Sequence, residues 1–214
     1  MYKIDLKING CKNVKELADF VRANRIRLIL FAETHGFLNE TPIQKKIIQS
    51  TNPDFFLYEM LEERKLLNNK ETKIFLSKPN NENFSVISTY GELKPTIELA
   101  NRFNLPIIGC DIKDMCQKDK NWLKKKFSRE EARTLIKKRE LRQSNVINQY
   151  TSNGLVFASL GAYHLRKGSI TISNLREKNF IIVSPSFRGK EAFLIRANQK
   201  ELADSYVVKL RKKR

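Results

Sequence analysis

Leu28-Ile29-Leu30-Phe31-Ala32-Glu33-Thr34-His35-Gly36 begins as an unbroken apolar run and stops on an acid, a histidine and a glycine. A short apolar run with no polar alternation reads as a strand buried on both faces, the kind found in parallel sheets. Three more runs end the same way. Phe55-Phe56-Leu57-Tyr58 stops on Glu59, Pro106-Ile107-Ile108-Gly109-Cys110 on Asp111, and Leu155 to Tyr163 on His164. In open α/β sheets, ligands bind just beyond the carboxyl ends of the strands. The expected fold is therefore α/β: a central, mostly parallel or mixed β-sheet flanked by helices, with the site at the strand carboxyl ends.

The intervening segments supply helices. Asn13 can cap one, with Glu16 three residues on and Val14, Leu17, Ala18 and Val21 at helical spacing. Thr41-Pro42-Ile43-Gln44 reads as an N-cap, a first-turn proline and a capping-box glutamine, with Ile43, Ile47 and Ile48 as the apolar stripe. Leu61 to Ser77 is a helical candidate, Pro79 to Asn83 a loop, and Tyr90-Gly91-Glu92 part of a loop over the site. From Pro95, the residues Ile97, Ala100 and Phe103 predict a short helix. Met1 to Gly10 alternates apolar and charged residues like a half-exposed strand. Ser169–Ser173, Phe180–Ser184 and Ala192–Arg196 are further strand-like runs. No repeat or long linker divides the chain, so 1–214 reads as a single domain.

Ser128 to Tyr150 carries the clearest helical pattern, opened by a Ser128–Glu131 capping box. Ala132, Leu135, Ile136, Val146, Ile147 and Tyr150 share one face. Arg139 and Gln143 fall near the middle of that face, with Arg142 on one edge and Glu140 on the other. An arginine on a core-facing stripe needs a buried partner, and a carboxylate at a strand end is the natural candidate. The alternative is an Arg139 that snorkels to water.

With 214 residues and 41% hydrophobic residues, the chain can bury a sizeable core. Its start is not that of a signal peptide, and no apolar run approaches membrane-spanning length. These features, and an odd count of three cysteines without metal-type pairing, predict a soluble, cytoplasmic protein with Cys110 as a buried thiol. The net charge of +18 predicts attraction to polyanions: nucleic acid, anionic lipid or an acidic partner. Clusters occur at Lys124-Lys125-Lys126, Lys137-Lys138-Arg139 and Arg211 to Arg214, but no zinc-finger, RRM or P-loop pattern accompanies them.

Glu33 and His35, two residues apart on an extended strand, point to one face. Glu59 and His164 join them if their strands are neighbours. Two imidazoles and two carboxylates could bind a divalent transition metal through Glu33, His35, Glu59 and His164. They could equally work without metal, a histidine oriented by a glutamate activating water. Arg139 would hold an acid or stabilise an oxyanion. Asp111 either supports the site or caps the following segment, and Tyr163 is expected to pack.

In order along the chain, these residues resemble a known superfamily. Ala32-Glu33-Thr34-His35-Gly36 is similar to the Gly-Glu-x-His element of the superfamily containing erythromycin esterases, ChaN haem-uptake proteins, TraB proteins and Tiki proteases. Tyr58-Glu59-Met60 resembles its Glu-Met element. Arg139-Glu140-Leu141-Arg142-Gln143-Ser144-Asn145-Val146-Ile147 resembles its Arg-acid-x-x-Met-Ala-x-x-Ile helix, and Gly161-Ala162-Tyr163-His164-Leu165 its Gly-Ala-x-His element. Ala32 stands where the superfamily has glycine, and Gln143-Ser144 where it has Met-Ala. The resemblance implies an α/β fold with one pocket and functional roles for Glu33, His35, Glu59, His164, Arg139 and Glu140, with Asp111 and Arg142 in support.

The expected function is a hydrolase of an ester or amide bond, acting on a small molecule or peptide with or without a divalent metal. A haem- or metal-binding protein is the alternative, although the start of the chain has neither an export signal nor a lipoprotein cysteine. A basic nucleic-acid-associated protein is the third.

Overall fold

The computed structural model describes residues 2–6, 14–33, 40–77, 93–113, 128–186 and 207–212. Asn13, His35, the 79–83 and 90–92 loops, Cys11, Cys116, Lys124 to Lys126 and the Ala192–Arg196 run all lie outside them.

The apolar runs form the middle of one sheet. Its strands are β1 (Tyr2–Leu6), β2 (Leu28–Glu33), β3 (Phe55–Tyr58), β4 (Lys65–Leu66), β5 (Ile107–Gly109), β6 (Val156–Gly161), β7 (Phe180–Ser186) and β8 (Val207–Lys212). Their order is β1-β8-β7-β2-β6-β3-β5-β4. The six strands from β8 to β5 run parallel, and the edge strands β1 and β4 pair antiparallel. β6 lies between β2 and β3, so the segments ending in Glu33, His164 and Glu59 are neighbours.

Alternation sorts the strand side chains onto two faces. Ile29, Phe31, Phe56, Tyr58, Phe157 and Ile181 pack with α1 (Val14–Ala23), α2 (Thr41–Thr51) and α4 (Leu93–Arg102). Leu28, Leu30, Leu57, Ala158, Leu160 and Ile182 pack with Val146 and Ile147 of α5 (Arg129–Thr151). The middle strands are buried on both faces, which is why their sequences lack polar alternation.

Local chemistry sets the helix ends. Ser128 Oγ accepts from the Glu131 amide at 3.2 Å while the Glu131 carboxylate accepts from the Ser128 amide at 2.8 Å, so the capping box of α5 is complete. The start of α2 differs from its sequence reading. Glu40, not Thr41, is the N-cap residue, and its carbonyl accepts from the Ile43 and Gln44 amides. Gln44 does not close a capping box; burial turns its side chain toward the sheet instead. α3 occupies only Asn69–Ser77 of the helical candidate, and Asn68 Oδ1 accepts from the Glu71 amide at 2.9 Å at its start. The residues before it form a 3-10 turn (Glu59–Leu61) and β4. The strand expected at 169–173 is the short helix α6 (Ile170–Ser173): Ser169 Oγ accepts from the Ile172 amide, a cap that outweighs the β-branched pattern.

Gly109 lets the turn after β3 lie against β5. A Cβ there would stand 2.0 Å from the Glu62 carbonyl oxygen. The close approach carries Glu59 over the strand ends.

Candidate active site

Glu59 opens the 3-10 turn directly after β3 and is buried. Its Oε2 accepts from the Gly161 amide at 2.5 Å, and its Oε1 pairs with Arg139 Nη2. Arg139 also grips Asp111, with Nη2 2.5 Å from Oδ2 and Nε 2.9 Å and 3.1 Å from the two carboxylate oxygens. The core-facing arginine of α5 thus meets acids from two strand ends. Its side chain is only 19% exposed, so it does not snorkel away. Burial raises the Asp111 pKa, Arg139 pulls it down, Glu59 adds to the rise, and the balance stays above the ordinary value. Asp111 Oδ1 further accepts from the Ile112 amide at 2.8 Å.

His164 sits in the 3-10 turn after β6 and is 4% exposed. Nε2 lies 3.5 Å from Glu59 Oε1, and Nδ1 lies 3.4 Å from Glu140 Oε1. Burial lowers the imidazole pKa, but the charge of Glu59 and the contacts with both glutamates outweigh it, and the net shift is upward. Glu59, Asp111 and Glu140 are also faced by two guanidiniums, Arg139 and Arg166.

Glu140 is held from three sides. Oε1 faces His164 and pairs with Arg166 Nη1, and Oε2 accepts from the Ile170 amide at 2.9 Å. Burial raises its pKa, yet hydrogen bonds from His164, Arg166 and Ile170 more than reverse that. Ser169 Oγ donates to the His164 carbonyl at 2.8 Å and fixes the loop between them. Arg166 carries no motif in the sequence and was not anticipated. Neither was exposed Tyr163, expected to pack: it is 47% exposed, with the Arg166 guanidinium 4.1 Å over its ring.

Glu33 lies on the other side of the pleat. Two residues on from Phe31, it follows the α2 face, where its Oε2 accepts from Ser159 Oγ at 2.8 Å. Ser159 accepts in turn from Gln44 Nε2 at 3.2 Å. The structure therefore brings Glu59, Arg139, Asp111, His164 and Glu140 into one network and gives Glu33 a separate partner; His35 lies outside the described residues. Arg142 is not hydrogen-bonded to these acids. Its Nε is buried without a hydrogen-bond partner among the described residues, and its charge falls near Cys110. Burial pushes that thiol well above its ordinary pKa, and Glu59 and Asp111 push further, so Cys110 is a weak nucleophile.

The described groups do not fit a metal ion or haem iron as they stand. Both ring nitrogens of His164 face carboxylates, and both Glu59 oxygens are taken by Arg139 and the Gly161 amide. Among the described residues, no three His, Cys, Asp or Glu side chains are grouped to hold a metal.

Two solved structures share the fold. One is ChaN of Campylobacter jejuni, reported for cofacial haem binding, with a TM-score of 0.57 at 14% identity over 100% of this chain and 97% of that one. The other is the type III effector HopBA1, with a TM-score of 0.55 at 14% identity over 83% of this chain and 84% of that one. No protein-family model and no curated protein matches. The two likenesses establish the α/β fold that the sequence elements imply. No helix among the described residues is long and apolar enough to cross a membrane.

Proposed function

We propose that the chain is a hydrolase of an ester or amide bond, centred on the carboxyl ends of β3 and β6. One observation carries this reading: His164 is held between two buried carboxylates, one at each ring nitrogen. A fixed, proton-bearing imidazole is what general acid–base catalysis requires. The His164 Nε2–H, whose contact with Glu59 is a long 3.5 Å, turns to the leaving oxygen or nitrogen on substrate binding, while Glu140 keeps Nδ1 and Glu33 or His35 takes the proton from the attacking water. Glu59 and Glu140 orient the ring, and Arg139 keeps Glu59 in place with Asp111 as its counterweight. The basic excess of the chain draws an anionic substrate toward the site.

The test is a panel of p-nitrophenyl esters and N-acyl p-nitroanilides. His164→Gln lowers kcat on a turned-over substrate by about 100-fold or more, with an unchanged far-UV spectrum. Wild-type turnover in that variant removes His164 from the mechanism. Chelator treatment leaves turnover unchanged; a loss restored by zinc reinstates the Glu33, His35, Glu59 and His164 ligand set.

Haem binding is the second reading, and the fold shared with ChaN favours it. A Soret shift on hemin titration that disappears in His164→Ala would put it first.

A further inference from the structure

Glu33 follows Phe31 onto the α2 face, a layer built mainly of apolar side chains such as Phe31, Ile43, Ile47 and Tyr58. Gln44 and Ser159 are both fully buried in that layer, on α2 and β6. Ser159 interrupts a strand whose other side chains are apolar or glycine, and Gln44 interrupts the isoleucine stripe of α2. Polar groups in such places cost stability unless they are paired.

Their pairing has a direction. The Ser159 hydroxyl donates its single proton to Glu33 Oε2. The serine oxygen must then accept from its other neighbour. Gln44 presents its amide nitrogen, which only donates. The chain Gln44 Nε2–H to Ser159 Oγ–H to Glu33 Oε2 is thus consistent at each link.

We infer that Ser159 and Gln44 are positioning residues for Glu33, acting in series: α2 sets the serine hydroxyl, and the serine sets the carboxylate. Their part in turnover rests on the hydrolase reading above, whereas the relay itself does not.

The relay is tested by epistasis on p-nitrophenyl butyrate. Ser159→Ala lowers kcat about 10-fold with KM within about twofold, and Gln44→Met, close in volume, lowers it about threefold; these are the effects of a lost orienting hydrogen bond. Ser159→Thr, which keeps the hydroxyl, restores most of the kcat. In the Ser159→Ala background, Gln44→Met has no further effect. An equal threefold loss there, or a wild-type kcat in Ser159→Ala, overturns the inference. If the wild-type chain turns over no ester or amide, the hydrolase reading fails by itself. The relay is then read from urea midpoints of Gln44→Met, Glu33→Gln and their double variant. Midpoint shifts that are non-additive with Ser159 and additive in Ser159→Ala sustain it; additivity in both backgrounds overturns it.

Discussion

The two faces of the sheet treat buried acids in opposite ways. On the α5 face, Glu59, Asp111 and Glu140 pair with the guanidiniums of Arg139 and Arg166 and with the His164 imidazole. On the α2 face, Glu33 receives a neutral hydroxyl, itself steadied by an amide. Compensation by an ion pair fixes a carboxylate strongly, since each partner would be left as a bare buried group without the other. Compensation by a neutral relay fixes direction at lower cost. Two kinds of carboxylate thus stand on opposite faces of the sheet: one orients a histidine, and the other accepts from a serine hydroxyl.

This contrast can be broken most directly at Arg139. Arg139→Met leaves Glu59 and Asp111 buried without their cation and costs about 3–5 kcal/mol in urea unfolding. A loss under about 1 kcal/mol would mean the α5-face ions are hydrated, and the contrast between faces would vanish. Ser159→Ala strips the relay on the other face and costs less, about 1–3 kcal/mol by the same measurement. A cost matching that of Arg139→Met would erase the distinction from the other side. Ser128→Ala, at the start of α5 and remote from both clusters, costs about 1 kcal/mol through its cap. It calibrates what an ordinary hydrogen-bonded side chain is worth here.

The pH dependence sharpens the comparison further. The folded-state pKa of His164 is raised, so its contribution is complete below its unfolded value of about 6.5 and is lost as pH rises through the folded value. Glu140 is shifted down, so its contribution is present above its unfolded value and is lost as pH falls through the folded one. Urea unfolding across pH should show the stability gap between wild type and His164→Gln closing from neutral pH upward. A gap that widened with alkalinity would contradict the upward shift of His164.

Much of this was legible in the residues. The apolar runs ending at Glu33, Glu59, Asp111 and His164 correspond to β2, β3, β5 and β6, because strands buried on both faces must be apolar throughout. Arg139 announced a buried acid by its place on an apolar helical stripe. Other features were hidden for physical reasons. Ser159 was readable as a lone hydroxyl inside a buried run, but its partner Gln44 lies 115 residues away. Arg166 sits in a turn with no periodicity to betray its direction. Residues 169–173 looked extended because Ile and Thr favour strands, yet one serine cap was enough to start a helical turn.

By itself, the order of apolar runs, caps and ionisable ends determined an α/β chain with ionisable residues at the strand carboxyl ends. Only the tertiary structure decided the pairings: Arg139 to Asp111 and Glu59, Glu140 to His164, and Glu33 away from them to Ser159. The reason is that pleat phase and strand order are set by the packing of the whole sheet. A residue's type says what it needs; the neighbouring strand and the covering helix determine who supplies it.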